Sequence, residues 1–312
     1  MNYTSSSPTA ESSTVESDGV GWLGAGVPAV TTSMTMRNSL AAFCSRIPYF
    51  RGKGRIVLLC DQLLTNQNDP SSYLATGVVN GDSKLILDLR LYGQKFAFYY
   101  RELEGPFIRQ ARSWYRSGTF IDVGGSIGLW AVAMGHQAKR SGNTVVTFEP
   151  VPHHRKRLCE NLRLNGLEQT VEVIGVALGA SERTARMNAH PLGAADNAWI
   201  DETGAFEVPV RTLDRVSQDA GWSDISFIKI DTEGYDPDVI AGAAETIRQW
   251  RPVIFAELLR ERMVDGAMQA TWDVLINDLG YRCVRLDGSR VIELNEPASW
   301  ENLFFLPQHF RA

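Results

Sequence analysis

The sequence predicts an α/β protein built on a doubly wound, mostly parallel sheet, and three observations carry that expectation. A β-branched, apolar run enters a glycine turn and then a helix at 119–128, TFIDVGGSIG. From there strand and helix patterns alternate as far as residue 257, which implies a parallel sheet covered on both faces. An acid, Glu149, falls at the tip of the second strand, 21 residues beyond Gly128, where doubly wound folds commonly hold a ribose.

The elements follow in order. Residues 1–50 are rich in Ser, Thr, Gly and Ala with few aromatics, and are expected to be a mostly disordered tail that buries too little to offset its ordering entropy. Residues 51–117 read as a β-rich lead-in and a helix. The strands are expected at 56–60, 84–91 and 95–100, with Gly93 in the last turn, and an amphipathic helix at 102–117 carries Phe107, Ile108, Ala111, Trp114 and Tyr115 on its apolar side. Residues 118–312 read as the cofactor-binding domain. Pro152 opens a helix that Asn165 and Gly166 close, a third strand covers 171–176, and a fourth covers 225–230 and ends in KIDTEG at 229–234. Asp236 is expected to cap a helix with Pro237 at its first position that runs to Arg251. A fifth strand, 253–256, ends on Glu257. A further helix stops at Gly280, and strands at 281–286, 291–294 and 302–306 close the sheet. The long stretch 179–210 reads as a lid or acceptor wall, or as a plain hairpin.

Composition narrows the function. At 312 residues and 44% hydrophobic content, one full core with extensions is expected. Lys and Arg number 31 against 36 Asp and Glu, and the net charge of -5 disfavours nucleic acid as a partner. The four cysteines, Cys44, Cys60, Cys159 and Cys283, are scattered without metal-ligand or framework spacing, which points to a reducing, cytoplasmic location. No run approaches the roughly 18 apolar residues of a membrane span. The oligomeric state stays open, a homodimer included.

The cofactor is suggested by what the glycine turn lacks. A dinucleotide turn reads G-x-G-x-x-G, whereas glycines here stand at 124, 125 and 128, with Ser126 and Leu129 where that register needs glycine. Asp122 precedes the first glycine; its carboxylate would repel a pyrophosphate and favour a cation. S-adenosylmethionine meets these demands, with a sulfonium, an ammonium and a ribose diol for Glu149.

The set DVGGSIG, FEPVP, NLRLNG, RTLD, FIKIDTEG and RPVIFAE, spanning roughly 118–257, resembles the FkbM family of S-adenosylmethionine-dependent methyltransferases. The family pattern usually has alanine and asparagine where this chain has Gly125 and Ser126. The resemblance implies a Rossmann-like class I methyltransferase fold whose last strand is antiparallel. It also implies methyl transfer to a hydroxyl of a sugar, polyketide or other secondary metabolite. It gives Asp122, Gly124 and Gly128, with Gly125 and Ser126 between them, the methionine end of the cofactor. It gives Glu149, followed by Pro150, the ribose hydroxyls, and the turn around Val176 and Ala177 the adenine.

Doubly wound folds gather ligands at the carboxyl ends of their strands, where Asp231, Glu233 and Glu257 are expected beside the glycine turn. Three readings stay open. Asp231 serves as general base, or Asp231 and Glu257 hold a hard divalent ion such as Mg²⁺, or the acids cap the next helix and pair with Lys229. His190 in the candidate lid is a second catalytic candidate, whereas His153 and His154 are expected on the solvent side of their helix. Two other functions compete: an NAD-dependent oxidoreductase and a non-catalytic binding module of the same fold.

Overall fold

A computed structural model describes residues 32–47, 53–65, 70–189, 198–200, 203–258, 266–296 and 302–311. Helices α1 (Thr32–Arg46) and α2 (Lys53–Leu64) precede a hairpin of β1 (Leu74–Val79) and β2 (Ser83–Asp88), then α3 (Tyr92–Tyr100) and α4 (Gly105–Trp114). The alternating region follows as β3 (Thr119–Val123), α5 (Leu129–Ser141), β4 (Thr144–Phe148), α6 (Pro152–Asn165) and β5 (Val171–Ile174). A small inserted sheet comprises β6 (Ala177–Leu178), β7 (Arg183–Ala189), β8 (Ala198–Ile200) and β9 (Phe206–Arg211). The chain resumes with α7 (Leu213–Ala220), β10 (Ile225–Ile230), α8 (Asp236–Ala241), α9 (Ala244–Trp250) and β11 (Val253–Glu257). Helix α10 (Ala267–Trp272), a π-helical turn (Asp273–Asp278), β12 (Tyr281–Asp287), β13 (Arg290–Leu294) and β14 (Asn302–Pro307) complete it.

The central sheet has the order β13-β12-β14-β11-β10-β3-β4-β5. Strands β5, β4, β3, β10 and β11 pair in parallel, and β14 runs antiparallel between β11 and β12. The antiparallel last strand is therefore present, with β13 as an additional antiparallel edge. Successive residues of a strand point to opposite faces, and the core divides accordingly. Phe120, Phe227, Phe255 and Phe304 pack on one face with Trp114 and Trp130, whereas Ile121, Ile228, Ile254 and Phe305 pack on the other with Ile240 and Ile247. The chain leaves β3 for β4 on one side and returns as β10 on the other. This reversal opens a crevice at the carboxyl ends of β3 and β10.

The lead-in departs most from expectation. Residues 56–60 lie in α2 and residues 95–100 in α3, both helical where strands were expected, and residues 32–46 form α1 within the span expected to be disordered. A short apolar run does not distinguish strand from buried helix; here long-range charges decide. Arg37 of α1, Asp61 of α2, and Lys95 and Tyr99 of α3 converge in one buried network. Lys95 Nζ stands 2.9 Å and Arg37 Nε 3.4 Å from the Asp61 carboxylate, and the Tyr99 hydroxyl donates to it at 2.7 Å. The helix after KIDTEG also differs, breaking between α8 and α9. A Cβ at Gly242 would stand 2.0 Å from the carbonyl oxygen of Gly179, so the chain is pinched there. Asp236 occupies the first helical position rather than the cap, which is Tyr235, and its carboxylate accepts from Thr232 Oγ1 at 3.0 Å. Among the described residues no helix is long and apolar enough to cross a membrane.

Candidate active site

The glycine turn is shaped by close approach. Gly124 has φ 81°, and a Cβ on it would stand 1.9 Å from the Asp231 carbonyl oxygen; one on Gly125 would stand 2.3 Å from Thr147 Oγ1. Both backbone N–H groups donate to the Phe148 carbonyl at 3.0 Å, tying the turn to the end of β4. Ser126 follows in the left-handed region, φ 46°, and donates its N–H to Glu149 Oε2 at 2.7 Å. Val151 N–H takes Oε1 at 2.8 Å. Glu149 is thus 4% exposed and rigidly held, yet each carboxylate oxygen keeps acceptor capacity for a further donor.

A cavity of about 240 Å³ opens above this turn. Over β4 and β5 it is lined by Gly124, Gly125, Ser126, Glu149, Pro150, Val176 and Ala177. Toward β10 it is lined by Lys229, Asp231, Thr232, Glu233 and Tyr235, with Glu104 and Trp130 contributed from before and after β3. The inserted sheet closes it with Met187, Ala198 and Ile200, and Tyr235 ties that sheet down by donating its hydroxyl to the Ile200 carbonyl at 3.3 Å. Glu104, Ser126 and Glu233 all line the cavity with positive φ. Left-handed backbone at non-glycine residues is held only where the surroundings over-determine it.

Beneath the β10 side lies a charge cluster. The Lys229 ammonium, 2% exposed, donates to the carbonyls of Gly124 at 2.9 Å and Val123 at 3.2 Å, and stands 3.4 Å from Asp122 and 3.6 Å from Asp231. Burial alone would depress its pKa, but the charges of Asp231, Asp122 and Glu104 outweigh burial and hold it above the usual lysine value. Asp122 is fully buried and accepts from Thr147 Oγ1 at 2.9 Å; burial pushes its carboxyl upward against the pull of Lys229. Glu257, at the end of β11, is pushed up to about 9, by burial first and then by the Asp231 charge, and shares a hydrogen bond with Asp231. Glu104 is raised likewise, by burial and then by Asp231, while Trp130 Nε1 donates to its Oε2 at 2.6 Å.

Eight of the expected site residues come together around the cavity: Gly124, Gly125, Ser126, Glu149, Pro150, Val176, Ala177 and Asp231. Three do not line it. Asp122 lies buried beneath the turn, 3.4 Å from the Lys229 ammonium. Gly128 caps α5 with φ 92°, and Glu257 sits behind Asp231. His190 lies outside the described residues. His154 corrects the expectation of a solvent-facing position: it is buried, lines the cavity and stands 3.8 Å from Glu149. Sequence reasoning passed over Glu104 and Trp130, whose only signal was an acid opening a helix and an aromatic in its first turn after the glycines.

Asp231 and Glu257 are the two carboxylates expected to hold a divalent cation such as Mg²⁺, which takes its ligands from oxygen. Among the described residues no group of three or more His, Cys, Asp or Glu is placed to hold a metal.

A parallel sheet in this order, its last strand reversed beside β11 and a glycine turn facing an acid on the next strand, defines a Rossmann-like class I methyltransferase. The chain belongs to the FkbM methyltransferase family: the profile described as Methyltransferase FkbM domain matches residues 122–283, more than half of its length. The 2-O-methyltransferase NoeI of Sinorhizobium fredii is 28% identical over 141 residues, covering 39% of this chain and 56% of that protein. The chain therefore spans about half the length of that curated relative. Among solved structures, Methyltransferase FkbM from Methylobacillus flagellatus is 17% identical with a TM-score of 0.40, covering 86% of this chain and 59% of that one. An S-adenosylmethionine-dependent O-methyltransferase from Thermotoga maritima is 12% identical with a TM-score of 0.34, covering 66% and 64%.

Proposed function

We propose that the protein transfers the methyl group of S-adenosylmethionine to a hydroxyl oxygen of a small molecule, with Asp231 as general base. One observation carries this: Asp231 lines the same cavity as the glycine turn, one strand away, and Glu149, two strands away. The turn backbone and Glu149 would hold the methionine end and the ribose, and Val176 and Ala177 would flank the adenine. When bound, the cofactor supplies an already activated methyl carbon. What remains for the protein is to align the acceptor oxygen, exclude water and take its proton.

Lys229 and Glu257 fix Asp231 for that task. The ammonium stands 3.6 Å from one carboxylate oxygen, and Glu257 supplies a hydrogen bond from behind. Asp231 thereby keeps an oriented oxygen toward the cavity. The rhizobial relative's name supports a hydroxyl acceptor, and family resemblance favours a sugar, polyketide or other secondary metabolite. An oxidoreductase reading is opposed by the carboxylates lining the cavity, which would repel a pyrophosphate.

S-adenosylhomocysteine is expected to raise the melting temperature where nicotinamide cofactors do not. Asp231→Asn is expected to lower kcat by about 10²- to 10⁴-fold while S-adenosylhomocysteine affinity, measured by calorimetry, stays put. Stabilisation by NAD alone, or an Asn variant with full turnover, would overturn the assignment.

A further inference from the structure

The turn that carries Glu149 and the turn that carries Val176 leave neighbouring strands, and one side chain bridges them. The β4–β5 ladder ends on the hydrogen bond from the Glu149 N–H to the Ile174 carbonyl at 3.1 Å. Past that bond the strands give way to Glu149 and Pro150 on one side and to Gly175 and Val176 on the other. Arg155, near the start of α6, reaches back between them. Its Nη1 donates to the carbonyls of Glu149 and Pro150, each at 3.0 Å. The same guanidinium lies across Gly175, where a Cβ would stand 2.9 Å from both Cζ and Nη1. We propose that Arg155 is a positioning residue for the cofactor: it fixes the spacing between Glu149, which would hold the ribose, and the Val176–Ala177 turn, which would flank the adenine. This rests on the methyltransferase reading above and deepens it at that same cavity.

Arg155 does not itself line the cavity, whereas Glu149, Pro150, Val176 and Ala177 do, so its contacts reach a ligand only through them. Helix stability does not account for it. A cation so close to a helix N-terminus opposes the macrodipole, and α6 has no acid in its first turn to offset that charge. What the guanidinium gains instead is two backbone acceptors. Nη1 carries two N–H groups in a fixed plane, which suits it to two carbonyls at once. Gly175 supports the same reading. Its φ is not positive, so glycine is required there for the room it leaves and not for backbone freedom. A methyl group at that position would push the guanidinium off the Glu149 and Pro150 carbonyls.

The test is calorimetry of S-adenosylhomocysteine binding to the full chain and to four variants. Arg155→Met is expected to raise the dissociation constant about tenfold, the scale of one or two lost hydrogen bonds. Arg155→Lys, which keeps a donor for the carbonyls, should regain part of that loss. Gly175→Ala should weaken binding as Arg155→Met does, because it displaces the same group. Combined with Arg155→Met it should add nothing further, since the atoms it strikes are gone. A residue that served stability alone would shift the melting temperature and leave the affinity of the folded protein unchanged. Parent-like affinity in Arg155→Met, no recovery in Arg155→Lys, or losses that multiply to about a hundredfold in the double variant would each overturn the proposal. Should Arg155→Met fail to fold, Gly175→Ala decides alone, and unchanged affinity there overturns it. Failure of the parent to bind S-adenosylhomocysteine removes the methyltransferase reading instead, and is read in the first titration.

Discussion

The two sides of the cavity are built by different means. Over β4 the surface is made by backbone: glycines with no room for a Cβ, and N–H groups that lock Glu149. Every member lies between residues 122 and 151. Toward β10 the surface is made by charge. Glu104, Asp122, Lys229, Asp231 and Glu257 come from four separate segments of the chain and are held by ion pairs to Lys229 and by the hydrogen bond between Asp231 and Glu257. The difference teaches which errors each side tolerates. A filled volume has no remedy, since neighbouring backbone cannot move aside, whereas a lost charge can be offset by losing its partner.

Gly124→Ala is the most direct way to break the comparison. The new methyl would stand 1.9 Å from a carbonyl oxygen at a residue with φ 81°, and a loss of stability of more than about 4 kcal/mol is expected. Chemical denaturation measures this, and S-adenosylhomocysteine should give no thermal shift. Lys229→Met should follow closely. It strands Asp122 and Asp231 without their cation, at a cost on the order of 3–5 kcal/mol. Here a second change is expected to help: adding Asp122→Asn should recover a large part of the loss, as a double-mutant cycle would show. If the double variant is no more stable than Lys229→Met alone, the β10 side is held by shape after all.

The same contrast decides what could be read from sequence. The β4 side was legible because its parts are local. A strand, a glycine turn and an acid 21 residues on are fixed by short-range geometry, so Gly124, Ser126, Glu149 and Pro150 were placed without a structure. The charge cluster was only half legible. KIDTEG exposed Asp231, and Lys229 was suspected of pairing with a neighbouring acid, but the sheet register that brings Asp122 opposite Lys229 is a long-range fact. Glu104 was silent because its role depends on Trp130, 26 residues away and across a strand. The lead-in was misread for a related reason: α1, α2 and α3 are welded by ion pairs to Asp61, and no local period reports such a contact. The adjacent helix α4 was read correctly because its apolar face repeats at helical spacing, with Ile108, Ala111 and Trp114 all buried.

Glu257 offers the finest test, because it alters the charge side without removing a charge at neutral pH. An unfolded glutamate titrates near about 4.3, whereas burial, and then the Asp231 charge, push the folded carboxyl up to about 9. The folded state therefore binds a proton that the unfolded state has released between those two values. Stability from this group is complete below the unfolded value and is lost as pH rises through the folded one. Glu257→Gln keeps a neutral hydrogen-bond donor toward Asp231 at every pH, so that loss should disappear. The expected result is a melting temperature that falls less steeply with rising pH, the variant matching the parent near about pH 5 and exceeding it near about pH 9. Cofactor affinity should not change, since the turn and Glu149 are untouched. Parallel curves for the two proteins would mean that Asp231 and Glu257 do not share a proton, and that Asp231 is oriented by Lys229 alone.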